Sequence, residues 1–262
     1  MALVPILMYH EVQDPARPNP SAPPSWTVDI DSFRQQMERL RSAGYTGLSV
    51  SRWLAERPIQ RCRPVVLTFD DGLRGNIDHA LPVLLEMGWT ATFFITTAMI
   101  GNEGYGAPDE WRDASDKGMD IASHGVTHTP LGALDSESAL GELMHSRNVL
   151  ETAVGIPVVG WSWPHGDIPP DGIAMLQTSG YQWAATSREA LARDGEAPFS
   201  LPRLPIRSWH TADSVAALVS SSLLNRMTIT ARYRAKSTVK SLLGRGRYAK
   251  VQRGLRGDSD AG

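Results

Sequence analysis

Val65-Val66-Leu67-Thr68-Phe69-Asp70-Asp71-Gly72 is the stretch whose reading decides the fold. A β-rich apolar run that stops abruptly at two acids and a glycine reads as a buried strand entering a turn. Successive side chains on a strand point to opposite faces, so Asp70 and Asp71 can serve one site only where the backbone turns, which Gly72 permits. Two carboxylates this close repel, unless a cation neutralises one and keeps the other ionised. The same three residues are also ordinary turn chemistry, a strand end followed by a helix cap.

Outward from this stretch, strand-like and helix-like segments alternate. Toward the N-terminus, Leu3 to Tyr9 reads as a first buried strand, followed by a loop with Pro15, Pro18, Pro20, Pro23 and Pro24. A helix capped at Asp29 or Asp31 carries the apolar stripe Phe33, Met37 and Leu40 and stops at Gly44, before a short strand at Gly47 to Val50. Toward the C-terminus the spacing predicts helices over Asn76 to Met87, Pro108 to Lys117, Ser136 to Val154 and Pro170 to Ser179. Strands are predicted at Ala91 to Thr96, Met119 to Ser123, Val158 to Trp163 and Gln182 to Thr186. Repeated β–α units of this size predict an α/β fold, a parallel sheet or barrel with helices outside. Functional groups in such folds gather at the carboxyl ends of the strands.

The chain has 262 residues, 42% hydrophobic and 21% charged, which excludes a disordered polymer and allows one large domain or two small ones. One cysteine, Cys62, excludes an intrachain disulfide framework and a Cys-rich metal centre, so a metal here needs His and carboxylate ligands. Cys62 itself reads as a packing residue. The net charge of −2 conceals two unlike parts. Residues 1–225 hold 16 basic and 26 acidic groups, a balance of −10, and residues 226–262 hold 10 and 2, a balance of +8. The expected organisation is one acidic domain over 1–225 and a basic tail over 226–262.

Leu242, Leu243, Tyr248, Val251 and Leu255 interleave with the basic residues, so residues 226–256 fit an amphipathic surface for an anionic membrane or acidic polymer, against the alternative of a solvated extension. A nucleic-acid partner is not expected. The apolar run Ala2 to Tyr9 has no basic stretch before it and is too short for a signal peptide or membrane span. The expectation is a cytoplasmic protein, peripheral to a membrane if the tail engages one.

Ser123-His124-Gly125-Val126-Thr127-His128 is the second constellation. His-x-x-x-His can bring two imidazoles to one ion, and Gly125 and Pro130 favour a tight loop over a helix. A histidine pair alone is commonly surface or capping chemistry, but Asp71 would supply a third ligand. One Asp and two His, with coordination left over for water and substrate, is the arrangement of a catalytic divalent metal.

Thr68 to Gly72 and Ser123 to His128, with their spacing and the intervening strand at Ala91 to Ile95, resemble the first two motifs of the polysaccharide deacetylases, also called carbohydrate esterase family 4 or NodB-like proteins. Pro5 to His10, Trp163-Pro164-His165-Gly166 and Leu201-Pro202-Arg203 are similar to the branch acting on exopolysaccharides such as poly-N-acetylglucosamine, and the resemblance covers roughly residues 3 to 220. It implies a deformed (β/α) barrel, commonly of seven strands, that removes acetyl groups from N-acetylated sugars with a bound divalent metal, usually zinc. By motif position, Asp71, His124 and His128 would bind the metal and Asp70 would be the base. In this branch the acid comes from the first strand, which points to His10, while His210 competes because it lies late in the chain. A backbone N–H near Gly72-Leu73 would stabilise the oxyanion.

The third motif departs from the family. Where many members have an arginine two residues before the proline, this chain has Ser162 before Trp163 and Pro164. Arg203 offers a guanidinium that could hold Asp70 in a bidentate contact, or form a structural ion pair. Trp163, Pro164, His165 and Trp209 are candidate substrate-binding or supporting residues. Of Trp161, Trp163, Trp183 and Trp209, all near predicted strand ends, one or two are expected to meet sugar and the rest to be core. His79 and His145 read as surface or boundary packing. Rival readings are an O-acetyl esterase, a deacetylase of a small sugar conjugate, and a carbohydrate-binding protein that has lost catalysis.

Overall fold

A computed structural model describes residues 3–56, 63–193, 195–220, 222, 225 and 227–231. Cys62 and nearly all of the predicted basic tail, including its apolar residues from Leu242 to Leu255, lie outside the described residues. The chain divides into a unit over Met1–Ser220 and a second over Ser221–Gly262, and the fold below is that of the first.

The strands are β1 (Leu3–Val4), β2 (Ile6–Tyr9), β3 (Glu11–Gln13), β4 (Thr27–Asp29), β5 (Tyr45–Leu48), β6 (Arg63–Phe69), β7 (Thr92–Ile95), β8 (Asp120–Ser123), β9 (Gly160–Ser162), β10 (Trp183–Ala185), β11 (Ala192–Arg193) and β12 (Leu204–Pro205). The helices are α1 (Ile30–Ser42), α2 (Val50–Glu56), α3 (Leu81–Glu86), α4 (Pro108–Asp116), α5 (Ser136–Val154), α6 (Gly172–Thr178) and α7 (Ala212–Leu218). Seven strands form one parallel path in the order β10-β9-β8-β7-β6-β2-β12, and β5 adds to the first half of β6. The two edges of that path are joined by a single short segment. Leu201 bridges Ala185 on one side, while Leu204 and Pro205 pair with Leu7 and Met8 on the other, so the sheet curls into a deformed barrel. Arg203 sits inside this closing segment.

Both faces of β6 are covered from Pro64 to Phe69, which is why that run is buried throughout, with Thr68 its one polar residue, rather than alternating. Tyr9, Phe69 and Phe93 stack in a row on neighbouring strands, at centroid distances of 5.4 and 5.0 Å, with Phe33 of α1 and Trp111 of α4 packed edge-on or tilted against them. Ile6, Val66, Phe94, Ala122 and Trp183 form part of a separate buried cluster. Along β6 the residues Val66 and Thr68 share a face, and that alternation carries on to Asp70 just beyond the strand.

Helix α1 starts at Asp29, whose side chain accepts from the Ser32 N–H, and α5 runs over Ser136–Val154 as predicted. Three segments differ from the sequence reading. The run Leu3 to Tyr9 breaks at Pro5, which has no N–H for the ladder, and β1 pairs antiparallel with β11 outside the main sheet. Val50 opens helix α2 instead of ending a strand, because the Ser49 and Val50 amides donate to the side chains of Thr90 and Thr92. Asn76–Ala80, at the head of the predicted Asn76 to Met87 helix, is wound as a π-turn. There the buried Asn76 side chain donates to the His10 carbonyl at 2.6 Å. Among the described residues no helix is long and apolar enough to cross a membrane.

Candidate functional site

The parallel register of β2 and β6 pairs Tyr9 with Phe69, and the Asp70 N–H donates to the Tyr9 carbonyl at 3.0 Å. The residues that follow, His10 and Asp70, therefore emerge side by side at the carboxyl ends of adjacent strands. The turn beyond Asp70 is made by two left-handed residues, Asp71 at φ 76° and Gly72 at φ 77°. Gly72 was the expected pivot, but Asp71 shares the turn, and this brings both carboxylates to one site. Asp71, His128 and His165 are the non-glycine residues with positive φ among the described residues. Each such conformation costs about 1–3 kcal/mol and persists where the surroundings impose it.

The loop after β8 supplies the imidazoles. The His124 N–H donates to the Ile95 carbonyl, and its Nδ1 lies 2.9 Å from the Ser162 carbonyl, so Nδ1 carries the proton and Nε2 faces the aspartates with its lone pair. His124 Nε2 is 3.6 Å from Asp71 Oδ1, and His128 Nε2 is 3.5 Å from the same oxygen. Ligand atoms at about 2.0–2.1 Å from a tetrahedral zinc would stand about 3.3–3.4 Å apart, so one atom from each residue fits one ion. Asp71 Oδ1 is buried with no hydrogen-bond partner, a costly state that a cation would relieve. Asp71, His124 and His128 form the His/Asp cluster of metal-binding dimensions among the described residues.

Asp70 is held differently. Burial alone would raise its pKa, but the guanidinium of Arg203, with His124 and His10 nearby, holds the carboxyl below the usual carboxylate range. Arg203 donates from Nη1 to Asp70 Oδ1 at 2.6 Å and from Nη2 to Oδ2 at 2.8 Å, a bidentate pair with both partners buried. Its remaining donors reach Thr68 Oγ1, Ser162 Oγ and the Thr186 carbonyl. The small side chain at Ser162 leaves room for that guanidinium, and the same residue's carbonyl orients His124. Burial pushes the His124 imidazole down to about 3, and it lowers His128 and His10 as well. Burial raises Asp71.

Other predicted residues divide by exposure. Trp161, Trp163 and Trp183 are buried core, Pro164 is buried as well, and Trp163 Nε1 donates to the Phe199 carbonyl. Trp209 is 67% exposed. His165, exposed, has its ring 4.7 Å from that of His128. His210 Nδ1 accepts from the Arg207 N–H, its own N–H donates to the Arg207 carbonyl, and its carbonyl accepts from Gln36. Its ring thus closes a turn, whereas His10 acts electrostatically on both Asp70 and Asp71. His145 is exposed and His79 half-buried in the π-turn, consistent with surface and boundary packing.

Glu142 is a site residue the sequence reading missed. From α5 it accepts from the Val126 and Thr127 amides and the Thr127 hydroxyl at 2.6, 3.1 and 2.6 Å, clamping the loop that presents His128. A Cβ at Gly125, itself at φ 87°, would come within 2.8 Å of Glu142 Oε2, so the clamping carboxylate would have to shift. The available signal was a glutamate on the helix face of Ala139, Leu143, Ser146 and Leu150.

Residues 58–184 match the family model described as polysaccharide deacetylase. YxkH of Bacillus subtilis (strain 168), assigned to the polysaccharide deacetylases, is 26% identical over 225 residues, covering 84% of this chain and 77% of that one. A polysaccharide deacetylase crystal structure from Bacillus cereus is similar at TM-score 0.74 and 25% identity, over 84% of this chain and 69% of the other. The Streptococcus pyogenes deacetylase PplD in complex with acetate also reaches TM-score 0.74, at 23% identity, over 84% of this chain and 99% of that one.

Proposed function

Because this chain belongs to the polysaccharide deacetylase family, we propose that it is a metal-dependent hydrolase that removes acetyl groups from N-acetylated sugar residues of a saccharide. The observation that carries this reading is the pairing of an Asp71–His124–His128 cluster of metal-binding dimensions with an adjacent Asp70 kept ionised by Arg203.

A divalent cation bound by Asp71, His124 and His128, zinc by the character of those ligands, would polarise the acetyl carbonyl and lower the pKa of the attacking water. Asp70 takes the proton from that water as it attacks, and its bidentate contact with Arg203 keeps it both ionised and aimed. The Leu73 amide is a donor for the developing oxyanion. Its neighbours satisfy the local backbone instead, since Arg74 N–H donates to the Gly104 carbonyl and Gly106 N–H to the Gly72 carbonyl. His10 then gives a proton to the nitrogen as the C–N bond breaks, releasing acetate and a free amino sugar. Exposed His165 and Trp209 are the residues suited to touch the sugar.

Acetate release from chito-oligosaccharides, with and without chelator, tests this reading. Chelator-sensitive release that survives His210→Ala and is lost in His10→Ala is the expected result. Release of acetate only from O-acetylated sugars, or none from either class by metal-loaded protein, would contradict it.

A further inference from the structure

Resting on the reading of His10 as the acid, we propose that Trp26 and Arg207 are positioning residues for the reaction: an Arg207–Trp26–His10 stack fixes the plane of the imidazole that protonates the leaving amine.

The His10 ring centroid lies 4.0 Å from that of Trp26, with the planes 31° apart. The Arg207 guanidinium carbon lies 3.0 Å from the Trp26 ring centroid. A guanidinium and an imidazole both so nearly over one indole cannot share a face without overlapping, so they occupy opposite faces and Trp26 is the middle layer. Contacts of this kind are favourable enough to select one side-chain orientation.

The three layers come from distant parts of the chain, and backbone bonds lock each in place. The His10 carbonyl is held by Asn76. Trp26 ends a 3-10 turn, Pro24–Trp26, in which its N–H donates to the Pro23 carbonyl. The Ser208 N–H donates to the Ser25 carbonyl at 3.2 Å, joining the segment that carries Arg207 to the turn that carries Trp26. The Arg207 N–H donates to His210 Nδ1, which closes the turn that carries Arg207. Meanwhile His10 Nδ1 is buried and has no hydrogen-bond partner. In many histidine acids a hydrogen bond at the second ring nitrogen sets the ring plane, and here aromatic packing takes that place. Proton delivery is sensitive to such alignment, and an error of about 1 Å can cost about 10²-fold.

Cleavage of an amide breaks a C–N bond whose nitrogen must gain a proton to leave, whereas an aryl acetate loses a phenolate that leaves unprotonated. The experiment compares an N-acetylated chito-oligosaccharide with 4-nitrophenyl acetate, using metal-loaded wild type and the variants Trp26→Ala, Trp26→Phe, Arg207→Met, His10→Ala and His10→Ala with Trp26→Ala. We expect Trp26→Ala to lower kcat on the amide about 10- to 100-fold with little change in KM. Arg207→Met should show a smaller loss of the same kind, Trp26→Phe should recover most of the activity, and aryl acetate hydrolysis and bound metal should stay near wild type. The double variant should be no slower than His10→Ala alone. Equal loss on both substrates, loss of metal, or a Trp26 effect that multiplies the His10 effect would overturn the stack as a positioning device. Undiminished amide turnover in His10→Ala would instead overturn the reading on which it rests.

Discussion

Arg203→Met is the perturbation whose consequences the site geometry defines most closely. It removes both hydrogen bonds to Asp70 and three more, to Thr68, Ser162 and Thr186, and leaves a buried carboxylate without its cation. Breaking a buried pair from one side costs about 3–5 kcal/mol, and for a unit of this size each kcal/mol lowers Tm by about 2–4 °C, so a loss of about 6–20 °C is expected at neutral pH. The pH dependence has a definite sign. In the wild type the folded-state pKa of Asp70 is depressed, so its contribution is present above the unfolded value of about 4 and is lost as pH falls through the lower folded value. Without Arg203, burial raises the folded value instead, and the deficit of the variant shrinks as pH falls toward about 4.5. Differential scanning calorimetry of metal-free protein reads both effects. Asp70→Asn should cost less on the Arg203→Met background than on the wild type, since each partner is harmful mainly when left alone. A variant melting within about 2 °C of wild type, or a deficit independent of pH and strictly additive with Asp70→Asn, would refute the reasoning.

Two further perturbations follow from other parts of the site. Glu142→Ala, which frees the Val126 and Thr127 amides, should weaken zinc binding about 10- to 100-fold in a competitive chelator titration, as loss of a residue that orients ligands does; unchanged affinity would show that the His128 loop holds itself. Glu11, buried among the Val12 amide, the Gly75 amide and Asn19, has its pKa raised by burial to about 7. Its protonated form stabilises the fold below about pH 4.5 and that contribution is lost as pH rises through about 7, so the stability of wild type relative to Glu11→Gln in urea unfolding should fall between pH 5 and 8, and a constant difference would contradict it.

The parts of this protein legible in its sequence are those in which neighbouring residues do the work. Val65 to Gly72 announces a strand and a turn, and Ser123 to His128 a loop with two imidazoles, because both motifs are local. Asp135 and Gly155 bracket α5 by capping chemistry that needs no tertiary context. Arg203 lay within reach of sequence reasoning only because the third motif lacked its usual arginine, and its partner Asp70 is 133 positions away. The stack on His10 left no such gap to notice. Trp26 follows prolines in a loop, Arg207 follows a two-residue strand, and only the closure of the barrel between β10 and β2 brings them together. The single strand expected over Leu3 to Tyr9 failed at Pro5 for a reason present in the sequence, the missing N–H, which buried apolar flanks on both sides obscured.

The central claim is that Asp71, His124 and His128 hold one divalent cation. Elemental analysis of purified protein, after stripping with chelator and reconstitution with zinc, tests it most directly. The account predicts one tightly held ion per chain in the wild type and none in His124→Ala or Asp71→Ala. A wild-type protein that binds no divalent ion after reconstitution, or variants that retain it in full, would contradict the account.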